Sequence, residues 1–357
     1  MANRRRRRRL HPADPRSQRA GVERADGGLT LNPSRGDVAG RAIDAVWRME
    51  SPRLIASLTR ITRDVGLAED VAQDALVAAL QQWPSSGVPA RPGAWLMAVA
   101  KRRAIEAFRH RAMAERKHEE LGRAIATDEP SETELDEAID NSSIGDDLLR
   151  LVFICCHPVL SLDARVALTL RLLGGLTVEE IARAYLVAEP TIGQRITRAK
   201  RTLAEAQVPF EVPTGADFEA RLGSVLQVVY LVFNEGYSAT AGDDWVRPAL
   251  CEDALRLGRV LAGLVPDEPE VHGLVALMEI QASRLRARVD PSGAPIPLLE
   301  QNRARWDRLL IGRGLAALRR AEVLGGAAGP YALQAAIAAC HARAATPEET
   351  DWARIVA

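Results

Sequence analysis

Residues Thr177 to Leu203 read TVEEIARAYLVAEPTIGQRITRAKRTL, and the spacing of their apolar and basic residues decides the reading of the chain. Thr177 stands before VEEI with Glu180 three positions on, the pattern in which a threonine hydroxyl and a glutamate carboxylate satisfy the free N–H groups of a helix start. Ile181 and Ala182 then fall on an inner face. The connection YLVAE is short and leads to Pro190, whose fixed φ and missing N–H suit a first helical position. In the helix that follows, Ile192, Ile196, Ala199 and Leu203 recur at spacings of four, three and four, which makes one apolar face. Thr191, Gln194, Arg195, Arg198 and Arg201 fall on the opposite one. This is the layout of a helix-turn-helix. One face docks the second helix, and the other presents amide, hydroxyl and guanidinium groups suited to base edges and phosphates in a major groove.

The whole chain sets the limits around that motif. Its 357 residues suffice for two or three domains, and 47% hydrophobic with 26% charged content is ordinary for soluble globular protein. Formal net charge is zero, so affinity for nucleic acid has to come from local basic patches. Such patches exist: from Met1 to Arg41 eleven arginines face four acids, and between Glu115 and Asp140 ten acids face three basic residues. Cys155, Cys156, Cys251 and Cys340 show no CxxC spacing, which argues against a disulfide framework and for a reducing, cytoplasmic setting. Vicinal cysteines on a helix diverge by about 100°, so Cys155 and Cys156 before His157 read as a buried helix end and not as a metal site. Neither that cluster nor NEGY (Asn234 to Tyr237) with Asp243 and Asp244 sets a nucleophile and base at a recognisable spacing. The reading is therefore of a protein that is not an enzyme, with no catalytic residues, no metal and no cofactor. No run of about 18 apolar residues is present to span a membrane.

Period-two alternation is nearly absent, while i, i+3, i+4 apolar spacing recurs from Ile43 onward, so the predicted fold class is all-α. Residues 1–41 read as a disordered basic tail, 42–112 as a first helical domain, and 113–143 as an acidic linker. Residues 144–207 hold the helix-turn-helix, and 213–357 form a C-terminal helical domain. Its predicted helices run from Ala249 to Leu264, Glu268 to Val289, Leu298 to Leu324 and Tyr331 to Ala344, with small apolar residues that permit close, tetratricopeptide-like stacking.

Two earlier stretches narrow the class. LAEDVAQDALVAALQQW (Leu67 to Trp83) puts Val71, Ala75, Ala78 and Ala79 on a buried stripe and Glu69, Asp70, Gln73 and Asp74 on a face read as exposed. An acidic and amide face suits a basic protein partner better than DNA, whose phosphates it repels. GAWLMAVAKRRAIEAFRHR (Gly93 to Arg111) is an amphipathic helix that mixes Trp95 and Phe108 with Lys101, Arg102, Arg103 and Arg109. Cations that track a backbone and rings that receive bases suit opened nucleic acid.

The order of acidic-faced helix, Pro/Gly loop, basic amphipathic helix, acidic linker and helix-turn-helix resembles the extracytoplasmic-function sigma factors of bacterial RNA polymerase. The resemblance covers about Ile43 to Gln207. The remainder, with VYLVFNEGYSAT (Val229 to Thr240) and RWDRLLIGRGLAAL (Arg305 to Leu318), is similar to the long tetratricopeptide-like extension of one group of that family. The resemblance implies that Glu69, Asp70, Gln73 and Asp74 dock on the polymerase β′ clamp. It implies that the loop from Pro84 to Pro92 captures a flipped −10 base, and that Trp95, Lys101, Arg102, Arg103 and Arg109 hold the opened strand. It implies that Thr191, Gln194, Arg195, Thr197, Arg198 and Lys200 read the −35 element, although Gly193 stands where many relatives carry a polar residue. The implied partners are core RNA polymerase, through its β′ clamp and β flap, and promoter DNA. A regulatory protein or the chain's own C-terminal domain is a further partner, and a membrane is not. The alternative is a stand-alone helix-turn-helix regulator with a sensing domain, which needs no acidic docking helix.

Overall fold

The computed structural model describes residues 35–119, 144–238 and 246–356, with side chains described for 40–109, 145–238 and 246–356. The tail at 1–34 and the linker at 120–143 lie outside the described residues. Every regular element described is helical, apart from an isolated antiparallel bridge between Val289 and Pro295.

The first unit is α1 (Arg35–Thr62), α2 (Val65–Ser86) and α3 (Pro92–Glu119). Asp64 starts α2 by accepting from the Gly66 and Leu67 amides at 2.7 and 3.1 Å. Ala68, Ala72, Ala75 and Ala79 on α2 are buried, and their small side chains let α1 and α3 approach closely around Leu58, Trp83 and Leu96. Two boundaries differ from expectation. Helix α1 begins at Arg35, inside the predicted tail, and α3 runs to Glu119, past the predicted linker start at 113. The residues AMAERKHE are good helix formers, so propensity carries α3 on where the acidic composition pointed to a linker.

The second unit is α4 (Ile144–Cys155), α5 (Leu162–Leu172), α6 (Val178–Tyr185) and α7 (Glu189–Glu205), packed around Leu151, Phe153, Leu168, Leu170, Ile181 and Ile192. The third unit is α8 (Gly215–Tyr237), α9 (Pro248–Leu264), α10 (Pro269–Ala282), α11 (Arg308–Val323), α12 (Pro330–Arg343) and the short α13 (Trp352–Val356). Helix α10 lies at its centre. A Cβ on Gly273 would meet the Ala332 amide nitrogen at 2.8 Å, and one on Gly314 would meet Ile280 at 2.6 Å, so glycine sets how closely α10 meets α12 and α11.

Two predicted helices of this unit are shorter than expected. Helix α10 ends at Ala282, not Val289, and α11 starts at Arg308, not Leu298. Pro291, Pro295 and Pro297 break the chain between them, leaving only short 3-10 turns. Asp307 then accepts from the Leu309 and Leu310 amides and starts α11.

The three units are not separate bodies joined by linkers. One continuous buried core runs from Ile43 of α1 through α4–α7 to Met278 of α10. Polar bonds cross the seams: Arg60 Nε meets Asp147 at 2.8 Å, Arg48 meets Glu180 at 2.6 Å, and Arg256 of α9 donates to the Gly174 carbonyl at 2.7 Å.

Candidate nucleic-acid interface

Helix α7 is built as its sequence dictates. The Thr177 hydroxyl accepts from the Glu180 amide at 3.1 Å and the Glu180 carboxylate accepts from the Thr177 amide at 2.8 Å, which fixes the start of α6. Leu186 takes a left-handed conformation, φ 51°, to end it. Pro190 lies in the first turn of α7, and Ile192, Ile196, Ala199 and Leu203 are buried. Thr191, Gln194, Thr197, Arg198 and Arg201 are exposed. Arg195 is half-buried and meets Asp163 at 3.3 Å, and Arg201 is bonded to Glu205 at 2.6 Å. Thr191, Gln194, Arg195 and Arg198 border an open groove against Val159 and Ala164. A Cβ on Gly193 would meet nothing within 4 Å, so glycine there is not demanded by packing.

Lys200 departs from this face. Its ammonium turns toward α2 and pairs with Glu69, and its side chain is only 20% exposed. Glu69 is likewise not part of the exposed face predicted for it. It is buried, its side chain 4% exposed, between Lys200 and the Arg171 guanidinium, whose Nε lies 2.6 Å from Oε1. Gln73 is half-buried and donates to the same oxygen at 2.5 Å. The physical reason is the approach of α5 and α7, which brings two cations to a carboxylate that would otherwise seek water. Asp70 and Asp74 are exposed, as read from the sequence. Sequence reasoning missed Arg171, Arg60 and Arg48, whose partners all lie on another unit.

On α3, Arg102, Arg103 and Arg109 are exposed and Lys101 is half-buried. Arg103 pairs with Glu106 at 3.1 Å. Trp95 is half-buried, its ring set edgewise against Trp83 with centroids 5.2 Å apart. The loop between α2 and α3 is shorter than expected, residues 87–91, because α2 continues through Pro84.

Cys155 and Cys156 are buried, as their helix-end reading required. Burial pushes the Cys156 thiol up to about 11, opposed by its contact with the Thr169 hydroxyl. Burial also raises Cys155, and it lowers His157 together with the Arg221 and Arg165 charges. Among the described residues no group of three His, Cys, Asp or Glu is placed to hold a metal ion, and no helix is long and apolar enough to cross a membrane.

Comparison with known proteins bears on the same segments. Residues 46–113 match sigma-70 region 2, residues 150–203 match sigma-70 region 4, and residues 221–322 match a family of unknown function, DUF6596. An uncharacterised protein of Rhizobium meliloti (strain 1021) is 43% identical over 314 residues, 88% of this chain and 73% of the relative. The ECF RNA polymerase sigma factor SigK of Mycobacterium sp. strains KMS and JLS is 30% identical over 173 residues, 46% of this chain and 84% of the relative. No solved structure matches the chain.

Proposed function

Because the chain belongs to the extracytoplasmic-function RNA polymerase sigma factors, we propose that it docks on core polymerase through α2 and reads promoters through α3 and α7. The observation that carries the reading is α7 itself: an apolar face fully buried and a face of Thr191, Gln194, Thr197 and Arg198 left to solvent. In this reading Gln194, Arg195 and Arg198 contact bases of the −35 element, with Thr191 and Thr197 on the flanking backbone. Lys101, Arg102, Arg103 and Arg109 follow the opened −10 strand, and Trp95 supports the neighbouring loop. Asp70 and Asp74 make the first contact with the β′ clamp, and region 4 meets the β flap.

Regulation lies within the chain. Glu69 belongs to the docking helix and Lys200 to the reading helix, and here the two are paired, with Arg171 on the same carboxylate. Helix α9 of the C-terminal unit reinforces the closed arrangement through Arg256, bonded to the Gly174 carbonyl. We read this as the resting form, with the C-terminal helical unit, tetratricopeptide-like in its stacked pairs, holding regions 2 and 4 together.

Reversing charge at Asp70→Arg with Asp74→Arg tests the docking assignment, since both side chains are exposed and exposed substitutions change stability by only about 0.5 kcal/mol. The expected result is loss of core polymerase capture and of promoter-directed transcription with the melting profile unchanged. Undiminished capture sinks the assignment. Promoter binding by the chain alone, equal with and without polymerase, would favour a stand-alone regulator.

A further inference from the structure

Two stretches that DNA reading and polymerase docking leave unused, VYLVFNEGYSAT and RWDRLLIGRGLAAL, converge in the C-terminal unit. Tyr237 of the first and Trp306 of the second both face the Arg284 guanidinium, whose Cζ lies 5.7 Å from the tyrosine ring centroid and 5.9 Å from the tryptophan's. Arg284 also donates to the Tyr237 hydroxyl at 2.5 Å. Arg288 lies over the same tyrosine ring at 3.7 Å, and Arg303 lies 5.1 Å from the Trp306 ring. All five residues fall within the segment 221–322 that matches a family without assigned function.

No described carboxylate compensates the charge of this cluster. Arg284 is 9% exposed, Arg303 5% and Trp306 3%, yet among the described residues none of the three guanidiniums forms an ion pair. The acids nearest in chain are committed elsewhere: Asp307 caps α11, and Asp290 accepts from the Ser292 and Ala294 amides. Glu348 and Glu349 act on Arg303 only through space and are exposed. Arg284 Nε, Arg288 Nε and Trp306 Nε1 are buried donors without acceptors. Burial lowers the Arg284 pKa, opposed by Tyr237 and reinforced by the Arg288 and Arg303 charges. Buried guanidinium groups normally recruit a carboxylate, because desolvating a charge without one is strongly unfavourable. Arg303 has a structural task, since it donates to the carbonyls of His341 and Ala344 and to the Thr350 hydroxyl. Among the described residues no carbonyl or carboxylate comparably engages the Arg284 or Arg288 side chain.

We propose that Arg284 and Arg288, with Tyr237 and the Trp306 N–H, form a binding site for a small ligand that presents an oxyanion, a phosphate or a carboxylate group. The planar fork of arginine matches both groups, and two forks beside one ring supply the donors that a single oxyanion accepts. The ligand supplies the counter-charge that no described residue gives. Its effect on the rest of the molecule, which rests on the closed-form reading above, runs through NEGY. Asn234 and Glu235 border a cavity of about 220 Å³ together with Tyr185 and Arg195 of the helix-turn-helix unit. Arg247, bonded to Glu235, also donates to the Ala184 carbonyl. A ligand that engages Arg284 alters its bond to Tyr237, two residues from the point where this unit grips α6 and α7.

The test uses the full chain, with inorganic phosphate and malonate as probes at constant ionic strength against chloride, read by thermal melting and titration calorimetry. The expected result is saturable binding of at least one probe with a rise in Tm, and the probe that binds identifies the oxyanion. Arg284→Met and Arg288→Met should each weaken that binding at least tenfold. Because each substitution removes a charge that no described carboxylate pairs, neither should lower the Tm of the free chain as loss of an ion-paired arginine does. If Arg284→Met does not fold, the half-buried Arg288 still gives a soluble variant for the comparison. A rise in Tm that does not saturate, or one equal in wild type and both variants, is general salting-out by phosphate and overturns the site. Neither measurement involves polymerase or DNA. Failure here therefore removes the ligand site alone, whereas failure of the Asp70 and Asp74 experiment removes the docking assignment.

Discussion

Replacing Glu69 by glutamine removes one charge from the seam between α2 and α7 while keeping the shape of the side chain. In the native chain the carboxylate takes Arg171 Nε at 2.6 Å and the Lys200 ammonium. The two cations sit on different carboxylate oxygens, so an amide there keeps an acceptor for one of them and turns an NH₂ group toward the other, which can only donate. Charge-assisted hydrogen bonds contribute about 1.5–3 kcal/mol each, and stripping one partner from a fully buried pair costs about 3–5 kcal/mol. Arg171 and Lys200 keep 18% and 20% of their side chains exposed, so both recover part of the loss by turning to water. The closed arrangement should therefore lose about 2–3 kcal/mol, a shift of roughly 30- to 150-fold toward separated domains.

Pulsed dipolar spectroscopy between labels at Gln81→Cys on α2 and Ala204→Cys on α7 reads this shift directly. Both positions are exposed, and the four natural cysteines are buried, so the labels go where they are placed. Wild type should give one narrow short distance, and Glu69→Gln a broad distribution extending to longer ones. Lys200→Met should open the seam less than Glu69→Gln, because Arg171 still holds the carboxylate, and adding it to Glu69→Gln should change little further. A narrow distance that survives Glu69→Gln, or fully additive effects of the two substitutions, would refute the idea that this carboxylate closes the molecule.

Arg195→Ala and Arg198→Ala should each weaken promoter binding by about 1–3 kcal/mol if they contact bases. A loss that is equal on all DNA sequences and reduces the salt slope by about one unit assigns the residue to phosphate instead. The natural thiols should stay unreactive toward a disulfide reagent at pH 8 in the folded chain and all react in denaturant. With the Cys156 thiol raised by burial from 9.0 to about 11, the folded state holds its proton where the unfolded state has lost it. Stability should therefore fall as pH rises through that window, measured by denaturant midpoints.

The helix-turn-helix was legible because its signals are local. The capping pair spans four residues, and the apolar period of α7 is complete within twelve, so neighbours in sequence decide the structure. The late start of α11 was less legible, since apolar spacing continues across Leu298 to Leu324 and only the prolines and Asp307 mark the true boundary. Glu69 was misread for a different reason. Its position beside Val65, Ala68 and Ala72 sets it on the margin of the buried stripe of α2, but a carboxylate is sent to solvent unless cations arrive, and Arg171 arrives from 102 positions away. The cluster around Tyr237 was illegible on the same grounds, with Arg284 lying 47 positions along the chain. What no local pattern encodes is the pairing of charges across units.

That pairing bears on how such a chain is controlled. In the proposed function, α2 attracts a basic partner and α7 attracts phosphate; two such helices carry opposite charge, so on one chain they attract each other. If they were exposed alike, the two faces would pair without specificity and hold one another in a range of poses. Here the attraction is concentrated at one buried carboxylate, Glu69, while Asp70 and Asp74 remain at the surface. Under the proposed function, polymerase would engage the outer acids before the inner one is released, and opening would be driven stepwise by the partner's own cations. A device of this kind works only if the inner pair is weaker than the sum of contacts the partner offers, which is why the partial exposure of Arg171 and Lys200 matters as much as the burial of Glu69.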